Sequence, residues 1–301
     1  MAFELFFALV ILTVLLVGSY TDIKTREVPD IINYGFIISA IAIRAIFSLA
    51  YSDWAYFVDG IFGFIAFVIL AYIMFYAGQW GGGDAKMIMG LGAMIGLPIN
   101  IIDITRFSGI PLLRSFLASF LFNTLVVGAI YALVWSIILV LKNKKRFVVE
   151  YYKLANKRIV KIGRFSFLAA AFIILLLSIF LIKDIQLKIM LSSFAMLCAI
   201  TIYLWLFVKA VERSAMLKYI DPEKLTEGDW IAKDVVVNGK RICGPKDLGI
   251  EMRQIRLLIK LKKQRKIKKV LIKEGIPFVP SFLTAFIITY FFGNILFLLI
   301  G

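Results

Sequence analysis

Tyr20-Thr21-Asp22-Ile23-Lys24-Thr25-Arg26-Glu27-Val28-Pro29-Asp30 separates two runs, residues 3–20 and 31–50, in which almost every side chain is apolar. The first run carries only Glu4 as a charge and the second only Arg44. An apolar run of roughly 18 residues or more has the length of a membrane-crossing helix. A short link holding Lys24 and Arg26 between two such runs therefore describes a chain that leaves the bilayer and turns straight back into it. The N-terminus lacks the basic region of a cleavable signal peptide, so residues 3–20 are expected to be a first span.

Outward from this link the pattern repeats. Apolar segments occupy 3–20, 31–50, 56–78, 87–102, 115–141, 165–182, 189–208 and 277–300. The expected fold is an all-α polytopic membrane protein of about eight transmembrane helices. The fourth segment is short, about 24 Å as a helix, and the fifth is long enough to tilt. The chain of 301 residues is 61% hydrophobic, above the roughly 45–50% of soluble domains.

Lysine and arginine set the orientation. Loop 21–30 holds two, 79–86 one, 142–164 nine and 209–276 eighteen, whereas the opposite loops hold only Arg106, Arg114, Lys183 and Lys188. The positive-inside rule puts the basic loops in the cytoplasm of a cell membrane and both termini outside. The net charge of +16 is thus read as meeting anionic lipid rather than nucleic acid. Residues 1–208 are expected to form a membrane core, 209–276 a small basic α+β insert on the cytoplasmic side, and 277–301 the last helix. Within the insert, Trp230–Val237 and Lys240–Cys243 flank Asn238-Gly239 and predict a hairpin with a type I′ turn. Asp247 is expected to cap a helix running to Leu261, and 142–164 to hold a surface-lying helix.

Composition also limits the chemistry. The absence of histidine excludes His-based triads, His-ligated zinc and His proton relays. Cys198 and Cys243 fall in an apolar span and a polar segment, so no disulfide framework is expected. Neither a metal nor a cofactor is called for. What remains at the cytoplasmic boundary is a pair of carboxylates. Asp22 closes the first span, and Asp84 opens the fourth in Gly81-Gly82-Gly83-Asp84-Ala85-Lys86. Two carboxylates at close range share one proton; one then serves as base toward water and the other as acid toward a carbonyl oxygen. The glycines leave room for an extended backbone. The helix dipole favours Asp84, at a helix N-end, as the ionised member and Asp22, at a C-end, as the holder of the proton. Taken singly, each aspartate also reads as an ordinary helix cap or interfacial acid, as Asp30 does before the second span. Gly81–Lys86 lacks phosphate-loop spacing. Arg44, inside a span, calls for Asp53, Asp59 or a helix end as its partner.

Asp22 with Lys24-Thr25-Arg26-Glu27-Val28-Pro29-Asp30 resembles the stretch after the first helix of type IV prepilin peptidases. Gly81-Gly82-Gly83-Asp84-Ala85-Lys86 is similar to the G-x-G-D-x-K motif of that family and of its archaeal branch, the preflagellin (prearchaellin) peptidases. Gly275-Ile276-Pro277-Phe278-Val279-Pro280-Ser281 resembles the segment that starts their last helix. The resemblance implies an intramembrane aspartyl protease with Asp22 and Asp84 as the catalytic pair and Gly81, Gly82, Gly83 and Pro277 at the substrate. It implies as substrate the basic leader of an archaellin or type IV pilin-like precursor, cut at the cytoplasmic face, in the archaeal branch typically after a glycine. The chain lacks the paired C-x-x-C insert of relatives that also methylate the new terminus, so methyl transfer is not implied. Oligomeric state is left open. A transporter or ion pathway is the competing class, since carboxylates at membrane depth also carry ions.

Overall fold

The computed structural model describes residues 2–98 and 115–300. In chain order the helices are α1 (Ala2–Thr25), α2 (Asp30–Tyr51), α3 (Ala55–Tyr76), α4 (Gly82–Ile95), α5 (Phe116–Lys142), α6 (Lys144–Ala155), α7 (Arg158–Leu181) and α8 (Ile185–Val211). The strands β1 (Leu217–Ile220), β2 (Trp230–Ile231), β3 (Val235–Val237) and β4 (Lys240–Cys243) follow, then α9 (Met252–Lys263), β5 (Val270–Lys273), α10 (Val279–Phe292) and α11 (Ile295–Ile300). Among the described residues, six helices are long and apolar enough to cross a membrane: Leu5–Thr25, Asp30–Tyr51, Ala55–Tyr76, Phe116–Lys142, Arg158–Leu181 and Ile185–Met216. The chain is a helical, multi-pass membrane protein.

The other two expected spans are shorter than the apolar pattern. The fourth, expected over 87–102, is α4 of 14 residues, about 21 Å. It ends at Gly96, where φ is +77°; residues 99–102, like Arg106 and Arg114, lie outside the described residues. The last, expected over 277–300, breaks at Gly293, where φ is +72°, into α10 and α11. A left-handed residue ends a helix because the next N–H can no longer reach back along the turn. Apolar composition registers burial, not this change of backbone sign.

Two compact units divide the chain: Met1–Val134 with Gly275–Gly301, and Trp135–Glu274. In the first, α4 is held between α2 and α3. The α3 and α4 backbones meet at two glycines: a Cβ on Gly63 would stand 2.3 Å from the Gly92 oxygen, and one on Gly92 2.4 Å from the Gly63 oxygen. Such close approach is a usual way for helices to associate in lipid. Helix ends inside a bilayer leave carbonyls that water cannot satisfy, and Arg44 answers that need at the end of α4. Its Nε and Nη2 donate to the Met94 carbonyl (3.2 and 2.8 Å), Nη2 also to that of Ile95 (2.5 Å), and Nη1 to that of Tyr56 (2.6 Å). The guanidinium lies 5.1 Å from the Phe7 ring centroid. Of the three partners expected for Arg44, the helix end is the one it bonds. Asp59 lies within electrostatic reach, and Asp53 instead accepts the Ala55 amide (2.9 Å). Asn123 does the same service at the α10–α11 break, donating to Thr289 Oγ1 (2.9 Å) and the Gly293 carbonyl (2.7 Å) and accepting the Ile295 amide (3.0 Å).

In the second unit, α6 ends at Ala155 rather than running on through residue 164, and α7 takes up the chain at Arg158. Ser178 and Ser192 hydroxyls join α7 to α8 at 2.9 Å. The hairpin forms around Asn238 (φ +51°) and Gly239 (φ +75°), with Val237 opposite Lys240. Its first strand starts later than expected. Trp230–Ile231 is a separate strand and pairs with β5, which also pairs with β1, all antiparallel. Asp247 caps no helix: it accepts the Gly244 amide (2.8 Å) and pairs with Arg241 (3.0 Å). α9 starts instead at a Glu251–Gln254 capping box and ends at Lys263. Both cysteines are free, and burial pushes the Cys243 thiol up to about 11, which keeps it protonated and unreactive.

Replacing Arg44 by Met strands carbonyls at the end of α4, each costing about 1–3 kcal/mol. Thermal unfolding of the purified protein is expected to show a clear drop in Tm, with Arg44→Lys intermediate and the exposed Arg146→Met close to wild type.

Candidate functional site

Asp22 lies in the last turn of α1, which runs past the expected end of the first span. The helix closes when the Arg26 amide reaches the Asp22 carbonyl (2.9 Å) and Arg26 turns to φ +64°. The Asp22 side chain is 5% exposed. Its Oδ2 accepts the Val279 amide (2.9 Å) and the carboxylate also takes the Phe278 amide. These are orphan donors of the first turn of α10, where Pro277 and Pro280 contribute none. Arg26 holds the same segment from its other side, Nη1 donating to the Gly275 carbonyl (2.8 Å).

Asp84 stands three residues into α4, and its Oδ2 accepts the Gly81 amide (3.0 Å). It closes its own helix start, the bland role expected of an aspartate after glycines, while remaining only half-buried. What brings it toward Asp22 is the crossing of α1 and α4. A Cβ on Gly18 would stand 2.8 Å from Met87 Cε and 3.3 Å from Val279 Cγ1, so α1, α4 and α10 converge there. Asp22 is about one turn beyond Gly18 and Asp84 about one turn before Met87. The two carboxylates lie within electrostatic reach of each other.

Aromatic packing joins the stretch before α4 to the start of α10. Trp80, 3% exposed, sets its ring 5.4 Å from Phe282 and 6.1 Å from Phe278. Phe278 fills the space over Gly128, where a Cβ would stand 2.5 Å from its ring. The three glycines differ. Gly83 abuts the Val28 amide, at 3.4 Å from a would-be Cβ, whereas Gly82 is exposed and meets only Phe75, at 3.9 Å. Pro277 is buried. The Tyr131 hydroxyl is buried within electrostatic reach of Asp22 and Arg26. Among the described residues, no three acidic or sulfur side chains gather as metal ligands.

Two sequence expectations change. Asp30 does not cap α2: Pro29 is the cap residue, and Asp30 pairs with Lys86 at 2.5 Å. The dipole argument that separated the two aspartates also loses its basis. Asp22 sits at the C-end of α1 but equally at the N-end of α10, so both carboxylates face a positive helix end. Sequence reasoning missed Phe278, Val279, Arg26, Trp80 and Tyr131 as neighbours. A signal for the amides was present, since a proline-flanked helix start leaves few free donors and places them together.

Residues 9–139 match the model of the type IV leader peptidase family. The preflagellin peptidase of Methanocaldococcus jannaschii is 34% identical over 134 residues, 44% of this chain and 56% of that protein. Those of Methanococcus maripaludis and Methanococcus voltae are 35% and 36% identical over 81 residues, 27% of this chain and 35% and 34% of theirs. The chain thus spans about half the length of the first of these curated relatives and about a third of the other two. No solved structure matches. Residues 9–139, which carry both Asp22 and Asp84, fit the type IV leader peptidase family.

Proposed function

We propose that this chain is an aspartic endopeptidase that removes the short basic leader from an archaellin or type IV pilin-like precursor at the cytoplasmic face of the cell membrane. The observation that supports the reading is the electrostatic coupling of Asp22 and Asp84, 62 positions apart in sequence, near where Gly18 of α1 packs on Met87 of α4. In the reaction one carboxylate takes a proton from water while the water oxygen attacks the scissile carbonyl. The other carboxylic acid gives its proton to the carbonyl oxygen. Collapse of the tetrahedral adduct breaks the C–N bond, and the leaving nitrogen takes back a proton, so one water is consumed per cut. Because the pair titrates as a unit, roles are assigned to the dyad and not to either member.

The exposed Gly82 offers an extended substrate backbone room beside Asp84, and the buried Pro277 shapes the helix start behind Asp22. Orientation follows from the basic loops: α4 and the α10–α11 pair complete eight crossings, with both termini outside and the 209–276 segment in the cytoplasm. A transporter would favour acids in mid-span and repeated halves; here both aspartates stand at helix ends.

Incubation with archaellin and pilin-like precursors, read by mass spectrometry of the new N-terminus, tests the reading. Asp22→Asn and Asp84→Asn are expected to lose cleavage by about 10³-fold or more, whereas Asp30→Asn retains most of it. Full cleavage by either dyad variant overturns the mechanism. Charge at the leader is tested separately. Asp30 is engaged by Lys86, which leaves the exposed Glu27 as the nearby acid for a basic leader. Glu27→Lys is expected to raise KM several-fold at low salt with kcat little changed, the gap narrowing as salt screens it.

A further inference from the structure

The basic charge of the second unit is not spread evenly. From Met252 to Lys273 the chain carries ten lysines and arginines and no acid. α9 turns Ile255 and Leu258 into the core beside Ile250, Val270 and Ile272, with Ile259 packed against them, and leaves Arg256, Lys260 and Lys263 exposed. Elsewhere in the same fold the acids are engaged: Asp234 and Asp247 on Arg241, Asp221 and Glu223 on Lys262. Arg256, Lys260, Lys263, Lys266, Lys268 and Lys269 have no ion-pair partner among the described residues, and all six are exposed. On α9, beside these cations, Met252 and Leu257 are each 43% exposed. A basic helix face flanked by exposed apolar side chains is the surface of an interfacial helix.

The patch is also anchored close to a bilayer. α8 runs without a linker through one π-turn, Glu212–Met216, into β1. Glu212 pairs with Lys209 on α8 (3.0 Å) and Lys273 on β5 (3.6 Å), and the Glu274 amide bonds the Met216 carbonyl (2.9 Å). β1 pairs along its length with β5, Ile220 facing Val270. Lys268 and Lys269 therefore enter β5 only four strand residues, about 13 Å, from the end of a membrane-length helix. That exceeds the Debye length of about 8–10 Å at physiological salt, so the cations enter the surface potential of acidic lipid when the fold lies against the bilayer.

We propose that the exposed cations of Arg256–Lys269, with Met252 and Leu257, bind acidic lipid headgroups and hold the 217–273 fold against the membrane. The occupant is a bilayer surface and not a polyanion at large, because the patch is tethered beside lipid and presents apolar side chains alongside its charges. The proposal is independent of the peptidase reading.

Hydrogen exchange on the full-length protein in nanodiscs tests it, comparing neutral phospholipid with a mixture containing about a third anionic lipid. Amides of 252–269 are expected to exchange about threefold or more slowly in the acidic discs, and the difference to vanish near 1 M salt, where screening shortens to about 3 Å. A variant carrying Lys260→Gln, Lys263→Gln, Lys266→Gln and Lys268→Gln should exchange alike in both discs, with β1 and β5 protection showing that it is folded. The wild-type salt titration stands even if that variant fails to fold. Equal exchange of the wild type in both discs overturns the proposal, as does slowing by added RNA without slowing by acidic lipid.

Discussion

A buried carboxylate with nothing to accept is costly, and the first unit is arranged around the way Asp22 avoids that cost. Its Oδ2 takes the Val279 amide at 2.9 Å, and with the Phe278 amide this ties the end of the first helix to the start of α10. Both sides gain from the contact. A helix start carries N–H groups without partners, a carboxylate is the natural acceptor for them, and at 5% exposure bulk water competes little for it. Arg26 on Gly275 and the Trp80–Phe278–Phe282 rings hold the same segment from other directions. Asp84 arrives at this assembly on a helix fixed at its far end by Arg44.

The same physics explains why polar residues occur at depth. α4 and α10 are shorter than the long spans, and each ends at a glycine in the left-handed region. Their last carbonyls would be stranded without donors. Arg44 serves one end and Asn123 the other, each buried and each drawing on main-chain atoms rather than on an ion pair. Two of the buried polar side chains thus finish broken helices, and the two aspartates do comparable work at helix starts. Carboxylates that cap helices are thereby also fixed in place, a condition for chemistry that depends on holding a water between two groups.

Much of this was legible in the residues. Long apolar runs located the long helices, because hydropathy and length are what a bilayer selects, but their polar ends escaped: α1 runs on to Thr25, α7 starts at Arg158 and α8 reaches Val211. Asn238-Gly239 gave its turn, since few other pairs tolerate two positive φ values. The motif around Asp84 gave the capping geometry as well as the candidate acid. What escaped was tertiary. Nothing near Asp22 in sequence announces that its partners are amides at 278 and 279. Asp30 has the look of a cap until Lys86 is found beside it. Trp230–Val237 leads straight into the Asn238-Gly239 turn and reads as one strand, yet it divides because β5, about forty positions later, pairs only with its first two residues. Arg44 showed that it needed a partner, and the choice among three lay in the folding of α4.

The central claim is that Asp22 and Asp84 act on one water between them. Its most direct test is a structure of the protein with a leader peptide in which a hydroxyl-bearing, uncleavable isostere replaces the scissile amide. The hydroxyl is expected to lie within hydrogen-bond distance, about 2.6–3.2 Å, of both carboxylates at once. A bound peptide whose hydroxyl reaches only one of them, with the other turned away or too distant to share it, would contradict the account.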